Sequence, residues 1–213
     1  MAGAVVGALG IGALLRRPMP PIAVVVKAVG TARTAEGRLT GGFAFAPLSP
    51  LRRDQAASPS WQVLAAAGQL QEAINTAPTP ENLHALGVAA LHAQRHDEAV
   101  LALEDALSGD ADNAAYLLDL AAAHLARRAR GGPALDVPKA LAAADRALGL
   151  APRLREARFN RALALSALHL RHEATRAWDD AAFLPALTAP DQFYADLGAV
   201  VAGAPRMRSV LGG

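Results

Sequence analysis

The sequence predicts an all-α chain of antiparallel helix pairs with an irregular extension at its N-terminal end. Three observations carry that expectation. Apolar residues make up 53% of the chain but aromatics only 4%, so alanine and leucine supply most of the core; alanine is the best helix former, whereas strands draw on β-branched and aromatic residues. The chain also repeats itself at a 34-residue interval, from Gly87 to Ala121 and again from Ala147 to Ala181. Finally, a small residue is followed twelve positions later by alanine in two units, Gly87 by Ala99 and Ala162 by Ala174. Glycine inside a helix costs about 1 kcal/mol relative to alanine. Gly87 is therefore expected where two helices touch too closely for a side chain.

At 213 residues the chain can bury a core without a covalent staple. It has no cysteine, which excludes disulfides, thiolate metal sites and cysteine nucleophiles and says nothing about compartment. Charge is divided unevenly: residues 1–60 carry seven basic side chains against Glu36 and Asp54, while residues 61–213 carry 14 basic against 17 acidic. The repeating part is thus slightly acidic and shows no basic stripe with interleaved aromatics, which argues against nucleic acid as a partner.

Residues 1–20 open with MAGAVVGALGIGALL, fifteen uncharged residues ahead of Arg16-Arg17. As a helix these would span about 22 Å, short of the roughly 30 Å hydrocarbon core. The basic pair follows the apolar run instead of preceding it, which does not fit a cleaved secretory signal. A short membrane anchor, the tail of a longer span and an apolar helix buried on the domain all remain open. The anchor is the leading reading, with the repeats on the cytoplasmic side. Residues 21–57 read as an extended segment and linker, in which 22–30 (IAVVVKAVG) and 39–46 (LTGGFAFA) are candidate strands of a short hairpin. Gly41-Gly42 reads as a turn, since it lacks the lysine and later glycine of a phosphate loop. The linker leads to an N-cap at Ser58 with Pro59 in the first turn.

Residues 58–78 read as a degenerate capping helix or helix pair. Three units follow, at 79–112, 113–152 and 153–186, and residues 187–213 read as a closing helix (190–202) and tail. Thr79-Pro80 is an N-cap signal, Asp136 before Pro138 opens a helix, and Pro152 follows a helix ending at Leu150. Unit two carries seven extra residues between its small residue and the next alanine, placed in RRARGGPALDVP.

The residues in register are Leu83, Leu86, Gly87, Ala99, Leu103 and Ala106, then Leu117, Leu120, Ala121, Ala140, Ala144, Ala147 and Pro152, then Ala162, Ala174, Trp178 and Ala181. Their pattern resembles the tetratricopeptide repeat (TPR), a 34-residue helix–turn–helix unit. The resemblance implies a right-handed solenoid that binds other proteins, without a cofactor. Its overall layout, from apolar N-terminus through arginine pair and GRLTGGFAFAPL to the repeats, also resembles the front part of bacterial proteins ending in a caspase-like CHAT peptidase domain. No peptidase domain is present here, and no peptidase activity carries over.

TPR arrays bind partners on the concave face lined by the first helix of each unit. Carried over, that face comprises His84, Val88, Leu91 and His92, then Leu118, Ala122 and Leu125, then Phe159, Leu163 and Ser166. The charged clamp some TPR domains use for a terminal carboxylate is absent, with Leu118 and Phe159 in its place. The resemblance therefore implies an apolar groove for a peptide or helix segment. The competing reading is that these side chains pack on the N-terminal region or on the array itself. Arg155, Arg158 and Arg161 lie three apart and form a candidate charged anchor for an acidic partner. A structural role is the alternative, with Arg161 stacked on Trp178 or paired with Asp179 or Asp180. His92 and His96 lack a third ligand, and no metal is expected. No nucleophile elbow or serine–histidine–carboxylate setting is present, so no enzyme is expected.

The leading function is a protein-interaction scaffold tethered through residues 1–15. Its alternative is a non-catalytic regulatory or assembly segment of a larger membrane-tethered enzyme, such as a CHAT-type peptidase. Self-association through the ends of the array is a third reading.

Overall fold

The computed structural model describes residues 19–31, 37–44 and 58–182, and every regular element among them is a helix. The anchor at 1–15, residues 45–57 of the extended segment and linker, and the closing helix fall outside the described residues.

Helix α1 (Pro21–Val29) corrects the expectation of an extended segment over 21–57 and of a hairpin strand at 22–30. Pro21 occupies the first turn, where its missing N–H is not needed, and Gly30 ends the helix at φ 59°. The β-branched run Ile22, Val24, Val25, Val26 is helical because Val25 and Val29, four apart, bury against Val63, Leu70, Ala85 and Val88. Packing outweighs the few tenths of a kcal/mol per residue that separate valine from better helix formers. Residues 39–44, the described part of the second candidate strand, belong to no sheet and bend at Thr40 and Gly41.

A single helix, α2 (Trp61–Thr76), occupies the capping region. Its N-cap is Ser60, whose hydroxyl accepts from the Val63 N–H at 3.3 Å, two residues later than the Ser58 expected from sequence. Three hairpins follow: α3 (Pro80–His92) with α4 (His96–Gly109), α5 (Ala114–Ala129) with α6 (Asp136–Leu150), and α7 (Arg155–Ala167) with α8 (Arg171–Ala182). Thr79 caps α3 as the sequence predicts, accepting from Asn82 N–H at 3.3 Å. Asn113 caps α5, accepting from the N–H groups of Ala115 and Tyr116.

The turn closing each hairpin is built alike. Gln94, Gly131 and His169 each adopt a left-handed backbone, at φ 61°, 88° and 60°. The next N–H then reaches a carbonyl five residues back: Arg95 to Ala90, Gly132 to Arg127 and Leu170 to Leu165. These contacts cap the orphan carbonyls of α3, α5 and α7. The insertion in unit two is divided among helix, turn and the next helix start: α5 has 16 residues against 13 in α3, its turn spans 130–135 against 93–95, and Ala140 is the fifth residue of α6 where Ala99 is the fourth of α4.

Small residues lie where the period placed them. A Cβ on Gly87 would meet Leu103 Cγ at 2.6 Å and the Ala99 carbonyl at 3.2 Å. Ala121 and Ala162 are fully buried. Each helix packs on its sequence neighbours, and α5 also touches α3 and α7, so the first helices of the hairpins form one continuous wall. Helix α5 sits in its middle and is buried from Tyr116 through Ala126.

Candidate functional site

Residues 37–44 (GRLTGGFA) lie along the wall formed by α3, α5 and α7, and α1 packs beside them on α3. A Cβ on Gly37 would fall 2.8 Å from that of Ala122, so only glycine lets the backbone come this close. The Asn160 side chain of α7 then holds one residue by both backbone groups. Its Oδ1 accepts from the Arg38 N–H at 2.7 Å, and its Nδ2 donates to the Arg38 carbonyl at 2.8 Å. The Arg38 guanidinium lies over the Phe159 ring, 4.0 Å from its centre, and the arginine is buried. A desolvated cation over an aromatic face is attracted by the ring quadrupole, worth about 2 kcal/mol in such settings.

One residue further on, Leu39 is 1% exposed. Asp119 of α5 grips Thr40: its Oδ1 accepts from the Thr40 N–H at 2.7 Å and its Oδ2 from the Thr40 hydroxyl at 2.6 Å. The same Oδ2 accepts from His84 Nε2 at 2.7 Å, and the His84 ring stacks on Tyr116 with centroids 4.5 Å apart. A carboxylate with no solvent access is tolerated only when donors replace its lost hydration, and here three converge on it. Gly41 and Gly42 follow at φ 97° and 73°, so the expected turn is present. It returns Phe43 to the wall, with its ring 4.6 Å from that of His92. Burial among these groups lowers the His92 pKa to about 4, against a weaker pull upward from Asp119.

Of the positions expected to line a groove, His84, Val88, Leu91, His92, Ala122 and Phe159 come together beneath residues 37–44 and α1, all of them buried. Leu118 packs with Leu117, Ala147 and Ala157. Leu125 and Leu163 pack with Ala121, Val137 and Ala164. Ser166 is half-buried and accepts from the Trp178 indole N–H at 3.0 Å. These side chains therefore pack on the N-terminal region and on the array, as the competing sequence reading has it. Asp119 and Asn160, which do most of the polar work, escaped the sequence reading. Their signal was there: each is a polar residue inside an apolar run, YLLDLAAA and RFNRALAL.

The arginine trio is occupied within the fold. Arg155 is buried, and Arg158 donates twice to the Pro152 carbonyl, at 3.2 and 2.7 Å. Arg161 Nε donates to Asp145 Oδ1 of α6 at 2.6 Å, which replaces the expected partners Trp178, Asp179 and Asp180. Trp178 instead meets Phe159 edge-on at 5.1 Å.

No protein-family model matches this chain, and no curated protein matches it. Its own geometry must carry the functional reading.

A second buried polar cluster closes the long turn of the middle hairpin. Asp136 accepts from His124 Nδ1 at 2.9 Å and from Arg127 at 2.6 and 2.8 Å. Burial alone would raise the Asp136 pKa, but the hydrogen bonds from Arg127 and His124 hold it below the usual carboxylate range. Burial lowers that of His124, against the opposing pull of Asp136. All of its members come from α5 and α6 apart from Asp97 of α4, which pairs with Arg127 at the surface. The cluster staples the turn. His92 and His96 stand on either side of the α3–α4 turn, and among the described residues no three His, Asp or Glu side chains converge as metal ligands.

The Thr40–Asp119–His84 constellation has the wrong order for activating a nucleophile. A catalytic hydroxyl needs the imidazole as its acceptor, whereas here the carboxylate lies between hydroxyl and ring and accepts from both. What this arrangement can do is hold an extended chain. Among the described residues no helix is long and apolar enough to cross a membrane.

Proposed function

We propose that this chain is a non-enzymatic interaction scaffold of the TPR kind, whose wall of first helices holds an extended polypeptide segment. Residues 1–15 tether it to a membrane in this reading. The observation that carries it is the Asn160 side chain, which meets the N–H and the carbonyl of a single residue at 2.7 and 2.8 Å. An amide used this way recognises a main chain whatever its sequence, and the pockets beside it add selectivity, as in other extended-peptide grooves. The repeat spacing, the shared left-handed turns and the close contact at Gly87 support a TPR-like array as its frame.

Site-specific photo-cross-linking in the source cell tests the proposal. A photoreactive residue at half-buried Leu163 of α7 is expected to capture another polypeptide, and one at Leu101, 60% exposed on α4, is not. Capture at Leu101 alone, or at neither position, would overturn the reading.

A further inference from the structure

We infer that residues 37–44 are a built-in stand-in for the partner segment, and that the partner carries the same chemistry. It is a stretch of a glycine, a basic residue, an aliphatic one, a threonine or serine, two glycines that turn the chain, and an aromatic. This inference rests on the scaffold reading above and specifies its ligand and its control.

Each position of the pattern is written on the wall. Ala122 leaves space only for a glycine at the first. The Phe159 ring receives the cation at the second, and a fully enclosed site takes the aliphatic side chain at the third. Asp119 demands a residue with both an N–H and a hydroxyl at the fourth, because its two oxygens are satisfied together. The two glycines supply backbone conformations that side chains resist, and the aromatic closes on His92.

Residues 37–44 make these contacts as a ligand does. They have no regular structure of their own, and main-chain groups together with the consecutive side chains of Arg38, Leu39 and Thr40 hold them to helices far along the chain. A segment joined to its own site competes at an effective concentration in the millimolar range. A partner is then admitted only when it outcompetes residues 37–44 or when something lifts them off.

The test uses the whole chain and a fluorescent synthetic peptide, GRLTGGFA, as the probe. Two variants release the internal segment by unrelated means. Thr40→Asp sets a second carboxylate against Asp119, and Gly37→Val forces a side chain into Ala122. Both leave the wall unchanged. Each is expected to bind the peptide at least about tenfold more tightly than wild type, since a site occupied in cis loses apparent affinity in proportion to its occupancy. Adding Asn160→Ala to either is expected to abolish binding, and a probe with Asp in place of its threonine is expected not to bind.

Helicity by circular dichroism checks that the variants fold. Should both fail to fold, saturating peptide on the wild type must accelerate hydrogen exchange at the Thr40 amide as it displaces the internal segment; unchanged exchange would overturn the inference. Equal affinity for wild type and folded release variants would also overturn it. So would a wild-type dimer that Gly37→Val abolishes, which would assign the seat to a second copy. Cross-linking of a partner at Leu163 without peptide binding would remove this inference and leave the scaffold reading. Peptide binding without a cellular cross-link would remove the scaffold reading and this inference with it, leaving residues 37–44 as an internal contact of the fold alone.

Discussion

Replacing Asn160 with alanine removes both bonds that hold the main chain of residue 38, at 2.7 and 2.8 Å. Each buried hydrogen bond contributes about 1 kcal/mol net, and a group left buried without a partner costs about 1–3 kcal/mol. The segment can relieve that cost by lifting from the wall, so the expected loss in its docking free energy is about 2–4 kcal/mol. At 1.4 kcal/mol per factor of ten, local opening then becomes roughly 30- to 700-fold more frequent. Hydrogen exchange read residue by residue is the assay. The Arg38 amide should lose protection because its acceptor is gone. The Thr40 amide should lose it too, although its own acceptor, Asp119, is untouched. Amides in the middle of α4 and α6 should exchange as in wild type. Unchanged exchange at Thr40 would show that Asn160 does not hold the segment down. Equal loss in every helix would show that residues 37–44 cannot leave without the whole core, and would refute the reasoning.

Glycine substitutions separate two kinds of position. In Gly87→Ala the gain of about 1 kcal/mol in helix propensity is outweighed by overpacking against fully buried Leu103, typically about 1–3 kcal/mol, so the urea midpoint falls. In Gly68→Ala the new Cβ meets nothing within 4 Å, and the midpoint rises by the equivalent of about 1 kcal/mol. Midpoints moving in the same direction would contradict the contact assigned to Gly87. Acidification should destabilise the fold. His92 stays neutral in the native state down to a pKa of about 4, while the unfolded chain takes up a proton below its ordinary 6.5. Stability is therefore complete above pH 6.5 and declines as pH falls toward 4. The loss from pH 7 to pH 5 is about 2 kcal/mol for this group, and His124, also lowered by burial, adds in the same direction. Urea melts at the two pH values, with His92→Gln as the control that flattens the slope, check the assignment.

The hairpins were legible because their signals are local. Thr79-Pro80 declares a helix start within two residues, and the interval from Gly87 to Ala99 states in one stretch where α3 and α4 must touch. Repetition made this firmer, since the same packing problem recurs and calls for the same small residue. What sequence reasoning missed depends on partners far away. Ile22 to Val29 reads as a strand by propensity and becomes a helix because α2 and α3 bury Val25 and Val29. Asp119 and Asn160 announce only that something must satisfy them. That partner is the main chain at residues 38 and 40, 122 and 79 positions from them along the chain. Caps, turns and periodicity are decided by neighbours within a few residues. A buried carboxylate or amide is decided by whichever distant segment the fold delivers to it, and only the tertiary structure brings GRLTGGFA onto the wall.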